Sequence, residues 1–261
     1  MLKTRIATAV VSLLALGVVL FVVPADVAEL VIAVVVLAGA WEWSAFLGLS
    51  GSSLRWVFVT VIAGLVAVSY MFMPDSSDPI LRIAFGWWFA AFLWTLFFPT
   101  PIPAFVRWAG GILVLVPMFV ALINLYRIGP VVLLLALLIV WAADVGAYFA
   151  GKQFGRVKLA PSISPGKTWE GVLGGLLLVA LLTVGAAYWT DTNLAVLLPF
   201  CLAVAVLSIV GDLTVSMFKR TAGVKDSGKL FPGHGGVLDR VDSVAAAAPL
   251  FALGLVWLGL V

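Results

Sequence analysis

Eight times along this chain a run of about 16 to 24 residues passes without a single Asp, Glu, Lys or Arg: after Arg5, Arg55, Arg82, Arg107, Arg127, Glu170, Asp191 and Asp242. About 20 apolar residues in helical form span the hydrocarbon core of a bilayer. A ninth span is expected from about Glu29 to Phe46, where an Ala-Val-Ile-Leu run lies between the acids Glu29 and Glu42. With 64% hydrophobic residues, 10% charged residues and a mean hydropathy of +1.23, the chain lies outside ordinary soluble composition. The expectation is an all-α polytopic membrane protein of about nine transmembrane helices.

The charges orient it. With the N-terminus in the cytoplasm, the loops near Arg55, Arg107, Lys152 to Lys167 and Lys219 to Arg240 fall inside. Of the 15 Lys and Arg, only Arg82 and Arg127 then face out, along with Asp26, Asp75, Asp78 and Asp191. That distribution obeys the positive-inside rule and puts the C-terminus outside. Lys3 and Arg5 ahead of an apolar run to Val23 have the outline of a signal peptide, but Pro24-Ala25-Asp26 is a poor small-residue cleavage site, so a retained first span is expected. The net charge of +3 sits beside spans, which suits anionic lipid heads and phosphates and requires no nucleic acid. The single cysteine, Cys201, lies in an apolar run, which excludes an internal disulfide and reads as a core residue.

Polar residues divide the chain unequally. Residues 1–126 read as transmembrane scaffold, with turn-type connectors at 48–53 and 74–79. Trp41-Glu42-Trp43 reads as an interfacial anchor in which Glu42 can reach water, with a functional role as the alternative. Residues 127–261 carry two hydrophilic segments on the cytoplasmic side, 151–170 and 212–242. Gly- and Pro-rich polar backbone at a membrane surface is tolerated where it lines water or packs on protein, so a shared cytoplasm-facing cavity is expected.

The densest chemistry lies between Gly211 and Asp242: the acids Asp212, Asp226, Asp239 and Asp242, the bases Lys219, Arg220, Lys225, Lys229 and Arg240, and the only histidine, His234. Asp239 and Asp242 are three apart ahead of an apolar run, so a helix starting here puts both carboxylates on one face. Mg²⁺ prefers such carboxylate oxygens together with water and substrate phosphates. The plainer alternative is a pair of acids at a helix start. The bases are positive-inside residues individually and, with the glycines, a polyphosphate cradle collectively. Gly233, Gly235 and Gly236 allow backbone N–H groups to approach an anion. One histidine with no cysteine nearby builds no zinc site, and His234 reads as a phosphate contact or loop-structuring residue.

Further upstream, Asp144 lies deep in an apolar helix, which is a functional hypothesis by default. The run Leu159 to Gly171 follows, in which Thr168 is placed to cap the next helix. Gly166-Lys167-Thr168 matches the end of a phosphate-binding P-loop, but Pro161 stands where its first glycine belongs and no preceding strand is expected, which rejects that motif.

Ser216, Lys219-Arg220, Lys225-Asp226, His234-Gly235-Gly236, Asp239-Arg240 and Asp242, spaced over 27 residues, resemble the signature of the phosphatidate cytidylyltransferases, or CDP-diacylglycerol synthases. Asp144-x-Gly146-Ala147-Tyr148 and Ser164-Pro165-x-Lys167-Thr168-Trp169-Glu170-Gly171 are similar to that family too. Val145, Gly166 and Val215 depart from its pattern. The resemblance implies Mg²⁺-dependent transfer from CTP to phosphatidate with release of pyrophosphate. It implies Asp212, Asp239 and Asp242 as metal ligands, with Asp144 near them and a second cation, monovalent or divalent, an open expectation.

On the same basis Lys219, Arg220, Lys225 and Arg240 join the three acids and Asp226 as catalytic residues. Ser164, Lys167, Ser216, His234, Gly235 and Gly236 join Asp144 in binding substrate. It also implies a homodimer and residence in a bacterial plasma membrane with the site on the cytoplasmic face. Two other readings are a CTP-dependent kinase of a lipid alcohol, which releases CDP, and a transporter using Asp144, which turns over no nucleotide.

Overall fold

The structure, a computed structural model, describes residues 2–48, 51–73, 77–228, 230 and 235–261, with backbone alone at 2–9 and 77. Nine α-helices appear among the described residues: α1 (Leu2–Phe21), α2 (Ala25–Trp43), α3 (Ser52–Met71), α4 (Ser77–Phe97), α5 (Ala104–Ile128), α6 (Pro130–Phe154), α7 (Trp169–Thr190), α8 (Leu194–Thr221) and α9 (Leu238–Trp257). Eight of them are long and apolar enough to cross a membrane, and Val10–Phe21 of α1 adds a shorter apolar stretch. The protein is an all-α integral membrane protein in its spanning part, because hydrocarbon leaves backbone N–H and C=O groups no partner except within the helix itself.

One element departs from an all-helical expectation. Between α6 and α7 the chain forms an antiparallel hairpin, β1 (Lys158–Ala160) and β2 (Ser164–Thr168), pairing Lys158 with Thr168 and Ala160 with Ser164. Ile163 is buried in its turn, and Ile163 N–H donates to Ala160 O at 3.1 Å. A strand does therefore precede Gly166-Lys167-Thr168, but it turns back on β2 at Pro161, so the topology is not that of a P-loop. At the hairpin base, Val157 N–H donates to both carboxylate oxygens of Glu170 at 3.2 Å. Thr168 caps α7 as expected, its Oγ1 accepting from Gly171 N–H at 3.2 Å.

Helices α5 and α9 pack against each other at the centre, and each is 72% buried over its span, against 22–28% for α3, α4 and α7, which present apolar side chains outward. Cys201 is a buried free thiol in α8. Packing does not stop at residue 126: α4 contacts α8 and α9, and α2 and α5 contact α9.

The end of α6 meets the start of α7 and the end of α8 the start of α9, so these pairs run antiparallel, and cross-contacts tie one set of connections to each end. At one end Trp43 Nε1 donates to Arg107 O at 2.9 Å, Arg107 Nη1 to Phe46 O at 2.9 Å, and Arg220 Nε to Ile163 O at 3.1 Å. At the other, Arg127 donates to Glu29 at 2.6 and 3.0 Å and Tyr70 Oη donates to Glu29 at 2.7 Å.

Candidate active site

Asp144 stands ten residues before the end of α6 and Asp212 nine before the end of α8. At about 1.5 Å of rise per residue, both acids lie roughly 15 Å below their helix ends. The α8 helix has 28 residues, so at that rise it is about 42 Å long and exceeds a hydrocarbon core of roughly 30 Å. Its last turn carries Lys219 and Arg220, while Asp212 lies further back along the helix. Gly211 permits the closest approach of α9: a Cβ there would overlap the Asp242 carbonyl oxygen and the Ala246 methyl.

Two ion-pair groups result. The Lys167 ammonium lies 2.7 Å from Asp212 Oδ2, and Ser216 Oγ, one helical turn on, donates to Asp212 Oδ1 at 3.0 Å. The Lys219 ammonium is shared by Asp239 Oδ1 at 2.9 Å and Asp242 Oδ2 at 3.5 Å, with all three side chains 8–10% exposed. The start of α9 at Leu238 does put Asp239 and Asp242 on one face, as their spacing predicts. Asp212 lies within electrostatic range of Lys219 and Asp242, and Asp242 within range of Lys167, so the two groups form one network. Alternating charge is what allows several ions to share a poorly hydrated volume.

Asp144, Tyr148, Lys167, Thr168 and Asp212 line a cavity of about 260 Å³. Beside it a larger apolar groove of about 570 Å³ runs between α4, α7 and α8 under the hairpin turn, and Leu159, Val172 and Ile209 line both. A charged chamber thus opens beside a groove of hydrocarbon character.

The remaining expected residues are less concentrated. Arg220 is fixed by the hairpin carbonyl of Ile163 and by Val224 O at 3.4 Å. Arg240 is exposed on the first turn of α9, Lys225 and Asp226 are exposed after α8, and Ser164 is half-buried at the start of β2. His234 and Gly233 lie outside the described residues, as does Lys229.

Among the described residues no three acidic, cysteine or histidine side chains gather into a metal-sized cluster. Asp239 is already engaged: besides Lys219 it accepts from Gly236 N–H at 2.9 Å and Ser227 N–H at 3.0 and 3.2 Å. The anions that Gly235 and Gly236 approach are the protein's own, since a Cβ at Gly235 would overlap Asp239 and one at Gly236 would overlap Glu42.

One expectation needs correction: Glu42 does not reach water. It is 6% exposed and accepts hydrogen bonds from Ser227, Val237 and Leu238. Trp43 is likewise buried, packed on Phe218 at a ring separation of 4.9 Å, while Trp41 stacks under the Arg55 guanidinium at 4.3 Å. The hint available in sequence was an acid held between two tryptophans at the end of an apolar run.

The donor set fits a hard divalent cation. It consists of carboxylate oxygens, and Mg²⁺ is commonly held by only one or two carboxylates, completing its shell with water and substrate phosphate. Asp212, in electrostatic range of both Asp144 and Asp242, is the acid best placed for that.

Fold and site together define a polytopic membrane enzyme of the phosphate-handling kind, with lysines and aspartates paired beside an apolar groove. The model of the cytidylyltransferase family matches residues 3–258, and the chain belongs to that family. It is 42% identical to a phosphatidate cytidylyltransferase of Pseudomonas aeruginosa over 270 residues, covering 98% of this chain and 97% of that one. It is 36% identical to a phosphatidate cytidylyltransferase of Haemophilus influenzae, covering 97% and 98%. A phosphatidate cytidylyltransferase of Brucella suis is 48% identical over 127 residues, 46% of this chain and 45% of that one.

Proposed function

We infer that this chain is a nucleotidyltransferase that joins CTP and phosphatidate into CDP-diacylglycerol and pyrophosphate. The observation that carries the reading is the Lys167–Asp212 pair lining a chamber beside an apolar groove, with the buried Lys219–Asp239–Asp242 group behind it, in a chain related over its full length to enzymes of that name.

The reaction explains why such a site needs charges more than a base. A phosphomonoester oxygen of phosphatidate attacks the α-phosphorus of CTP, and the bond from that phosphorus to the α,β-bridging oxygen breaks as pyrophosphate leaves. The attacking group has a second pKa of about 6, so it is largely ionised near neutral pH. The barrier lies in bringing two anions together, which positioned cations lower by electrostatics.

Lys167, Lys219, Arg220 and Arg240 are the proposed phosphate contacts of this chain, joined by Lys225 at the exposed edge. Lys167 and Lys219, held now by aspartates, are prepositioned ammonium groups that exchange a carboxylate for a phosphate oxygen. Ser216 orients Asp212, while Asp239 fixes the start of α9. Asp212 with Asp144 or Asp242 would hold Mg²⁺, which would supply further neutralisation of the triphosphate. The groove between α4, α7 and α8 receives the acyl chains, so that the lipid phosphate arrives laterally while CTP enters from water.

The end of the bundle bearing the site carries the excess of Lys and Arg, which supports a cytoplasmic site in the plasma membrane. Assembly as a homodimer through the N-terminal helices is part of the proposal, and light scattering of the purified protein in detergent measures it.

The direct experiment supplies purified protein with labelled CTP, phosphatidate and Mg²⁺. Label from the cytidylyl group enters the lipid fraction as pyrophosphate is released. Folded protein that leaves the lipid unlabelled overturns the assignment, and release of CDP with a phosphorylated lipid identifies a kinase instead.

A further inference from the structure

Glu42 belongs to α2, far in sequence from every residue assigned to the reaction, yet its carboxylate lies against the start of α9. Oε2 accepts from Ser227 Oγ at 2.8 Å and from Leu238 N–H at 2.8 Å, and Oε1 from Val237 N–H at 2.9 Å. The first N–H groups of a helix have no acceptor within the helix and form the positive end of its dipole. No side-chain hydrogen bond from the α9 N-cap residue, Val237, meets that need. Glu42 supplies the acceptor from another helix and brings a negative charge to the matching pole.

Two glycines record how tightly this carboxylate is seated. A Cβ at Gly228 or at Gly236 would overlap the Glu42 carboxyl group. The backbone on both sides of the seat then closes on Asp239, through Ser227 N–H and Gly236 N–H. Asp239 and Asp242 in turn share Lys219. A chain of direct contacts therefore runs from α2 to the buried ammonium, in which every link is a hydrogen bond of defined direction. An apolar side chain would join α2 to α9 equally well without the desolvation of a carboxylate, so the acid is there for geometry rather than adhesion.

We propose that Glu42 is a positioning residue for the transfer reaction: it fixes Ser227 and the first turn of α9, and so sets where Asp239 and Asp242 stand relative to Lys219. It touches no substrate in this role. The inference rests on the cytidylyl-transfer reading, and the experiment below separates the two.

Glu42→Gln keeps the size and one accepting oxygen but turns an amide N–H₂ toward donors, while Glu42→Ala removes the acceptor entirely. Turnover of CTP and phosphatidate is measured for both, together with amide hydrogen exchange over peptides covering the start of α9 and the end of α8. A misplacement near 1 Å costs about 10²-fold. Glu42→Ala should lose kcat on that order, Glu42→Gln should regain part of it, and both KM values should stay within about threefold. Exchange should quicken at the start of α9 alone.

Three results overturn the proposal: a Glu42→Ala kcat within about twofold of wild type, a rise in KM at unchanged kcat, or exchange that quickens at the end of α8 as much as at the start of α9. Wild-type protein that transfers no cytidylyl group sinks the underlying reaction instead, and exchange at the start of α9 in Glu42→Gln then still decides whether Glu42 fixes that turn.

Discussion

The two ends of the helix bundle are both stitched by short ion pairs, and they differ in what surrounds them. At one end Arg82 meets Asp78 at 2.7 Å with side chains 59% and 51% exposed. At the other, Lys219 meets Asp239 at 2.9 Å and Asp242 at 3.5 Å with all three side chains near 10% exposed or less. The contact distances are alike, so distance does not separate a functional charge from a peripheral one. Burial separates these two pairs, with Arg127–Glu29 (41% and 11% exposed) and Lys167–Asp212 (24% and 27%) lying between them: taking ions out of water costs several kcal/mol each, and apolar side chains of equal volume often serve stability as well or better. Charges kept in such a place, converging from α8, α9 and the hairpin, are there for chemistry.

The comparison is broken most directly at Asp242. Asp242→Asn keeps the shape of the side chain, removes one of the two carboxylate charges on Lys219, and removes the like-charge repulsion with Asp212 across the α8–α9 contact. Turnover should fall by ~10³ or more, the upper range for removing one preorganised electrostatic contact. Helix content and elution as a folded membrane protein should be retained. An Asp242→Asn enzyme with wild-type kcat would exclude this acid as an essential group and reduce the buried network to scaffolding.

How much of this was readable beforehand depended on the range of the forces involved. Lipid imposes its demand locally, so apolar run lengths suffice to expose the helical membrane class. The i, i+3 spacing of Asp239 and Asp242 and the cap at Thr168 are local too, and both appear as expected. The hairpin was invisible because Ser164-Pro165-Gly166-Lys167-Thr168 has no alternating apolar pattern, and it is held by Ile163 burial and by Arg220, 57 residues away.

Glu42 was misread for the same reason. An acid between tryptophans at a span end suits an interface, and its real partners lie 185 to 196 residues on. The glycines near Asp239 correctly signalled close approach to an anion, but sequence does not say whose. Asp239 accepts from backbone N–H groups whose positions only the fold supplies.

A smaller effect sharpens the site end by separating its charged chamber from its apolar groove. Leu176 lines the groove and not the chamber. Leu176→Trp adds bulk where acyl chains are proposed to lie and leaves the ion pairs untouched. The KM for a long-chain phosphatidate should rise roughly tenfold, the usual scale for losing apolar fit in a pocket, while a dihexanoyl phosphatidate and CTP should be affected by less than about twofold. Equal effects on long and short chains would place the acyl chains elsewhere.

The smallest effect belongs to the opposite end and tests the rule itself. Arg82 and Asp78 are one helical turn apart on α4, and although Arg82 also lies 5.7 Å from the Trp257 ring, the pair is open to solvent. An exposed i, i+4 pair contributes roughly 0.3–0.5 kcal/mol because water and salt screen it and two long side chains lose freedom to form it. Arg82→Ala should therefore shift stability by about that amount and leave kcat within about twofold of wild type. The check is chemical denaturation in detergent beside the turnover assay, repeated at high salt, where the remaining difference should shrink. A loss of activity comparable with that of Asp242→Asn would mean that exposure does not discriminate between the two ends, and the assignment of chemistry to the buried network would lose its physical basis.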